Sequence, residues 1–192
     1  MMLKDTVARL WPEISRSGGD PRPVVVMMCG IAGSGKSTLA KTIVSMHPNF
    51  ECISGDGIVA EKHGIYGVDY APEMYSDYLD EAWTESKSRL TQVLSREPAK
   101  DVVLDRAFWN KQYRNEAKAI IKGLQARWVL VYLKAPSKEI LWERIQARRK
   151  AEINADSAYE ITQDILATYW NGFEEPSNEG EIVVHTARGY PA

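Results

Sequence analysis

The run Gly30-Ile31-Ala32-Gly33-Ser34-Gly35-Lys36-Ser37-Thr38 has the residue types and spacing for phosphate chemistry. It satisfies the pattern G-x-x-x-x-G-K-[ST] at every fixed position. A polyphosphate is wrapped at close range by backbone N–H groups, and Gly30, Gly33 and Gly35 carry no Cβ to obstruct that approach. The backbone of Ala32 and Ser34 completes the wrap. A helix that begins near Gly35 adds its free N–H groups and positive end through Lys36, Ser37 and Thr38. Lys36 can place a point charge on the β- and γ-phosphates, and the Ser37 hydroxyl can ligate Mg²⁺. The cofactors implied are ATP and Mg²⁺. A dinucleotide fingerprint is excluded by spacing, because Thr38 stands where its last glycine belongs. A guanine-specific N-K-x-D motif is also absent: Asn110-Lys111-Gln112-Tyr113 ends on a residue that cannot accept the guanine hydrogen bonds.

Such a loop works only between a buried strand and a helix. Val24 to Cys29 is a continuous apolar run, as a parallel strand covered on both faces requires. After the loop, Leu39, Ala40, Ile43 and Val44 recur at helical spacing. Further strands are expected at Phe50–Ser54, Asp101–Asp105, Trp128–Leu133 and Glu181–His185. Helices are expected from Pro72 to about Arg96, from Trp109 to Lys122, from Pro136 and Ser137 to about Lys150, and from a capping box at Ser157-Ala158-Tyr159-Glu160. Alternation of strands and helices gives an α/β fold with a parallel sheet covered on both faces. Residues 1–23 read as an amphipathic helix (Leu3, Val7, Leu10 and Ile14 on one face) followed by a linker, and residues 24–192 as the domain.

Ligands bind open parallel sheets at the carboxyl ends of the strands. Asp105 ends an apolar strand there and is a candidate to hold the metal with Ser37; its alternative role is a helix cap or a partner for Arg106. Asp56, flanked by Gly55 and Gly57, is a candidate general base for an attacking hydroxyl, or else a plain turn aspartate. Arg144 and Arg148 share one helix face. They can reach a transferring phosphoryl group, or simply form a basic helix end. Residues 149–156 are a candidate lid. Tyr66, Asp69 and Tyr70, with Arg106, are candidate acceptor contacts.

Composition bounds the partners. Lys and Arg total 24 against 26 Asp and Glu, a net charge of −2, which argues against broad non-specific binding to nucleic acid. Cys29 and Cys52 read as reduced core residues of a cytoplasmic protein. No apolar run reaches membrane-spanning length. His47, His63 and His185 show no zinc-ligand spacing. Between Asp56 and Glu85 the acids Glu61, Asp69, Glu73, Asp77, Asp80 and Glu81 outnumber the basic side chains Lys62 and His63. That balance points to a neutral or cationic small-molecule acceptor, with no nucleic-acid partner.

Together these pieces resemble the P-loop kinases of the AAA_33 and zeta-toxin type, relatives of polynucleotide, adenylate and shikimate kinases, over about residues 24–185. Cys29 to Thr38 resembles their phosphate loop. The resemblance implies a five-stranded parallel sheet with the first strand central, Asp56 as the carboxylate that activates the acceptor, and Asp105 as the acid ending the third strand. Arg144-Ile145-Gln146-Ala147-Arg148-Arg149 is similar to the adenylate kinase lid pattern R-I-x-x-R-R, which implies Arg144 against adenine and Arg148 on phosphate. The chain departs from polynucleotide kinases just after the base, where Gly57 and Ile58 replace an arginine. Residues 57–75 match no acceptor site of that group. Three readings follow: an ATP-dependent kinase of a small-molecule hydroxyl, a polynucleotide 5′-hydroxyl or zeta-toxin-like nucleotide-sugar kinase, and a nucleotide-binding regulatory module without an acceptor.

Overall fold

Val24–Cys29 forms β1, and all six residues are buried, as the unbroken apolar run requires. Around it lies a five-stranded parallel sheet in the order β2-β3-β1-β4-β5, with β2 at Phe50–Ser54, β3 at Asp101–Asp105, β4 at Arg127–Lys134 and β5 at Glu181–His185. The first strand is central, and the fold is that of a P-loop NTPase. The computed structural model describes residues 2–151, 153–187 and 189–190. Met1, Arg188, Pro191 and Ala192 of the two expected segments, and Glu152 of the expected lid stretch, lie outside the described residues.

The pleat of β1 splits the core in two. Val25, Met27 and Cys29 face a cluster with Ile58 and Val59 of α3 (Gly55–His63), Ala82 and Leu90 of α4 (Tyr75–Leu94), and Ala117 and Ile121 of α5 (Lys111–Gly123). Val24, Val26 and Met28 face Leu39 and Ile43 of α2 (Lys36–Met46), together with Val7, Leu10 and Ile14 of α1 (Met2–Ile14). The N-terminal helix therefore contributes to the core of the domain. A third cluster joins Leu141 and Ile145 of α6 (Lys138–Ala151) to Leu166 of α7 (Gln163–Gly172).

Several boundaries differ from expectation for identifiable reasons. The Ser157 hydroxyl accepts from the Asn154 amide at 2.9 Å and so closes a turn behind itself. The last helix instead begins at Gln163, capped by Thr162, whose hydroxyl accepts from the Ile165 amide at 3.2 Å. Asn110 caps α5 by accepting from the Tyr113 amide at 2.9 Å, which moves that start to Lys111. Pro72–Met74 is a single 3₁₀ turn ahead of α4. Cys29 is buried, but Cys52 is exposed, because β2 is an edge strand that buries Phe50 and Ile53 instead.

Two buried charges hold distant segments. Asp101, at the start of β3, accepts from the Val24 amide at 2.8 Å, Arg16 at 2.8 Å and Asn49 at 2.7 Å. It thereby joins the linker to the beginning of the sheet. Arg114 of α5 is fully buried, forks onto Glu179 at 2.9 and 2.6 Å, and also donates to the carbonyls of Phe108 and Glu174. The guanidinium holds the Glu179 carboxyl down at about 2. Removing one partner of a buried pair leaves an uncompensated charge. Arg114→Ala should therefore destabilise the fold by roughly 3–5 kcal/mol in urea unfolding; a loss below about 1 kcal/mol would contradict this role.

Candidate active site

Strand register brings the chemistry to one edge. Met28 of β1 and Ser54 of β2 both align with Asp105 of β3, so the segments leaving these strands emerge side by side at the carboxyl end of the sheet. After β1 the chain forms the phosphate loop, with Gly30 at φ 144°. A Cβ on Gly30 would lie 2.8 Å from the Leu133 carbonyl oxygen and 2.9 Å from Ser34 Oγ, so only glycine fits. The Ser34 hydroxyl is thus turned back under the loop, buried and without a hydrogen-bond partner among the described residues. Gly35 takes a left-handed conformation at the N-terminus of α2, from which Lys36, Ser37 and Thr38 follow as the first helical residues. Ala32, half-buried, packs onto the α6–α7 cluster.

Lys36 folds over the loop and donates to the Ile31 carbonyl at 3.1 Å. Burial is the main cause that lowers its pKa; Asp105 and Asp56 pull the other way. Ser37 acts on the Asp105 carboxyl, favouring its charged form, and Asp105 itself is 8% exposed. Burial pushes the Asp105 carboxyl up to about 6, against Ser37 and Lys36, which favour its charged form. The hydroxyl and carboxylate expected to share a metal are therefore neighbours, both oxygen donors of the kind that suits Mg²⁺.

Asp56 occupies the first turn of α3, which Ser54 caps by accepting from the Gly57 amide at 3.2 Å. Burial raises its pKa, while a hydrogen bond from the Tyr75 hydroxyl at 3.1 Å and the charges of Lys36 and Arg148 oppose the rise. Asp56 lines a narrow cleft together with Tyr66, Tyr70, Tyr75 and Tyr159. The rings brace one another: Tyr75 stacks on Tyr159 at 4.6 Å, and Tyr66 meets Tyr159 at 4.9 Å. Asp69 does not join this wall. Its carboxylate accepts from the Ile65 amide at 2.7 Å and holds the loop before α4.

Arg148 projects from α6 toward Asp56, Asp105 and Asp156, whose charges act on it; burial nonetheless lowers its pKa. Its buried Nε has no hydrogen-bond partner among the described residues. Arg144, one turn earlier, donates to the Gly33 carbonyl at 3.4 Å and to Thr186 Oγ1 at 3.1 Å, and bonds the Ala187 carbonyl. It bridges the phosphate loop and the segment after β5. Asp156, in the stretch after α6, pairs with Lys41 of α2 and so ties that stretch across the site. Arg106 follows β3 and feels the charge of Asp56, but it is not among the residues that line the cleft.

Three of the six acids that suggested a repulsive acceptor surface, Glu61, Asp69 and Glu81, are engaged elsewhere. Glu61 pairs with Arg89 at 2.8 Å, and Glu81 pairs with Lys62 and His63 at 2.7 Å each. Among the residues that line the cleft, Asp56 is the acid. Tyr75 and Tyr159 were not marked as site residues by sequence. Tyr75 heads the inward stripe of α4, but only the packing of α4 beside α3 reveals its bond to Asp56.

The sequence model of the AAA domain family AAA_33 matches residues 25–176. No curated protein matches the chain by sequence. Among solved structures, a candidate kinase from Chloroflexus aurantiacus is similar with a TM-score of 0.69 and 15% identity, over 86% of this chain and 89% of that one. A chain of the Pnkp1/Rnl/Hen1 RNA repair complex gives a TM-score of 0.63 and 15% identity, over 79% of this chain and 44% of that one. The APS kinase CysC of Mycobacterium tuberculosis, solved with AMPPNP and APS, gives 0.52 and 17%, over 85% and 88%. Among the described residues no helix is long and apolar enough to cross a membrane.

The Asp105 charge is a cost to the empty protein. Its folded pKa lies above the unfolded value, so the native state binds the extra proton and stability falls as pH rises from about 4 to about 6. Without nucleotide or Mg²⁺, Asp105→Asn should stabilise the fold at pH 7 by up to about 3 kcal/mol. The gain should shrink toward zero near pH 4. A variant less stable than wild type at pH 7 in thermal unfolding would contradict this reading.

Proposed function

The chain belongs to the AAA_33 family of P-loop kinases, and on that premise we propose that it transfers the γ-phosphate of Mg·ATP to a hydroxyl of a small molecule held in the tyrosine-lined cleft. The observation that carries this reading is the convergence of Lys36, Ser37, Asp105, Asp56 and Arg148 at one edge of the sheet. Each has a distinct task.

The loop amides from Gly30 to Thr38 and the N-terminus of α2 wrap the phosphates. Lys36 leaves the Ile31 carbonyl for the β- and γ-phosphates. Ser37 and Asp105 would hold Mg²⁺, which would supply charge neutralisation to the phosphates. Arg144 flanks the nucleotide from the side of the post-β5 segment. Asp56 takes the proton of the acceptor hydroxyl; its raised pKa brings its basicity toward the operating pH. Arg148, which feels the charges of Asp56 and Asp105, would meet the phosphoryl group as its charge spreads. Tyr66 and Tyr70 present flat walls to the acceptor.

The cleft beside Asp56 is narrow and walled by tyrosine rings, which favours a small acceptor. It offers no cationic track for a polynucleotide backbone, which needs one. The polynucleotide reading and the acceptor-free regulatory reading therefore become alternative outcomes of one assay.

That assay follows labelled γ-phosphate from ATP into a panel of small hydroxyl compounds and a 5′-hydroxyl oligonucleotide. The expected result is labelling of a small compound and none of the oligonucleotide. Salt-sensitive oligonucleotide labelling would select the polynucleotide kinase. Nucleotide binding with no transfer to any acceptor would select the regulatory module. In parallel, Lys36→Ala should lower Mg·ATP affinity roughly tenfold or more by calorimetry, with an unchanged fold. Equal affinity in the two proteins would refute the assignment of the loop.

A further inference from the structure

Arg106, the residue after β3, holds a guanidinium next to the tyrosine-lined cleft in sequence and charge, though not among its lining residues, with nothing bonded to it. It makes no hydrogen bond or ion pair with the described residues, and its Nη1 is shut off from solvent. One face rests on the Trp83 ring of α4, with the guanidinium carbon 4.6 Å from the ring centroid. The acids that might neutralise it are committed. Glu116 of α5 accepts the Trp83 indole N–H at 3.1 Å and faces Lys87 at 3.8 Å. Asp56 accepts from Tyr75. Asp80 is exposed and makes no bond to it.

An unpaired buried cationic donor is costly, and a protein that retains one keeps it for an anion. Stacking on Trp83 fixes the plane of the fork and leaves its edge free, the presentation that suits a phosphate, sulfate or carboxylate. Arg106 directly follows Asp105 at the carboxyl edge of the sheet and stacks on Trp83 of α4, away from the phosphate loop in sequence; the charges that act on it are those of Asp56, Asp80 and Glu116.

We propose that Arg106, stacked on Trp83, is the anion-binding element of the acceptor site, so that the small molecule phosphorylated here carries a phosphate, sulfate or carboxylate group besides its reacting hydroxyl. This assignment rests on the reading of Asp56 as the acceptor-activating base, and it replaces the neutral or cationic acceptor expected from the acids of residues 56–85. The charge balance of that stretch misleads because Arg106 lies outside it, just after β3, and because Glu61 and Glu81 are paired along the α3–α4 seam.

The test uses the full chain saturated with Mg·AMPPNP, so that the phosphate loop is already filled, and inorganic sulfate as the probe. The indole N–H signal of Trp83, assigned with Trp83→Phe, is followed by NMR as sulfate replaces chloride at constant ionic strength. Sulfate should shift that signal saturably. Arg106→Gln, checked for an unchanged melting temperature, should weaken the response roughly tenfold or more. Asp56→Asn, which removes a neighbouring negative charge, should strengthen it. No sulfate-specific shift, an undiminished response in a folded Arg106→Gln, or indifference to Asp56→Asn would each overturn the proposal. A 5′-hydroxyl oligonucleotide that shifts the signal where sulfate does not would overturn the small-anion assignment. If Arg106→Gln does not fold, Arg106→Lys, which keeps the charge and loses the fork, should give an intermediate affinity; wild-type affinity would contradict anion recognition by the guanidinium. Failure of the kinase reading is seen separately, as a chain that binds no Mg·AMPPNP or transfers no label.

Discussion

The phosphate loop keeps its shape because two of its glycines are pressed against backbone carbonyls. A Cβ on Gly30 would meet the Leu133 oxygen of β4 at 2.8 Å, and a Cβ on Gly33 would meet the Leu141 oxygen of α6 at 3.0 Å. No other residue fits either position without moving a strand or a helix. The contact has consequences on both sides. It fixes the loop amides relative to the sheet edge, and it fixes α6 relative to the loop. Arg144 can then bridge the Gly33 carbonyl and the segment after β5, and Arg148, one turn on, reaches toward Asp56 and Asp105. The geometry of the catalytic edge is therefore inherited from a packing constraint among backbones.

Within that frame the site is electrostatically under-compensated. Lys36 has its pKa lowered and Asp56 and Asp105 have theirs raised, each chiefly by burial, and Arg148 and Arg106 have buried nitrogens without partners. Contrast Arg114, which is fully buried and satisfies its fork on Glu179 and two carbonyls. Structural charges in this fold are paired; charges at the sheet edge are left short of partners. Groups held this way are poised for a ligand that brings phosphate oxygens and a cation, and their preorganisation avoids reorganisation when charge moves in the transition state.

Sequence disclosed the parts of this arrangement that depend on near neighbours. The glycine spacing, the apolar run before it and the helical spacing after it locate the loop, and the acid just after β2 and the acid ending β3 follow from their places at the carboxyl ends of strands in a parallel sheet. The lid arginines are visible as an i, i+4 pair. Features that depend on distant contacts were not legible. The Arg114–Glu179 pair spans 65 residues and the Lys41–Asp156 pair spans 115. The bond from Tyr75 to Asp56 requires α3 and α4 to lie side by side. Asp69 has the composition of a site residue but serves its own loop. Ser157 fits a helix-capping pattern, yet bonds backward to the Asn154 amide, so that Thr162 caps the helix instead.

The central claim is that Asp56 is the base that activates the acceptor. Asp56→Asn keeps the shape of the side chain and its capacity to accept from Tyr75, and removes its ability to take a proton. The most direct measurement is the single-turnover rate of phosphate transfer from Mg·ATP in the two proteins, with nucleotide affinity measured alongside. The account predicts a fall of roughly 10²–10⁴-fold in rate with nucleotide affinity little changed. A variant that transfers phosphate at nearly the wild-type rate would contradict it.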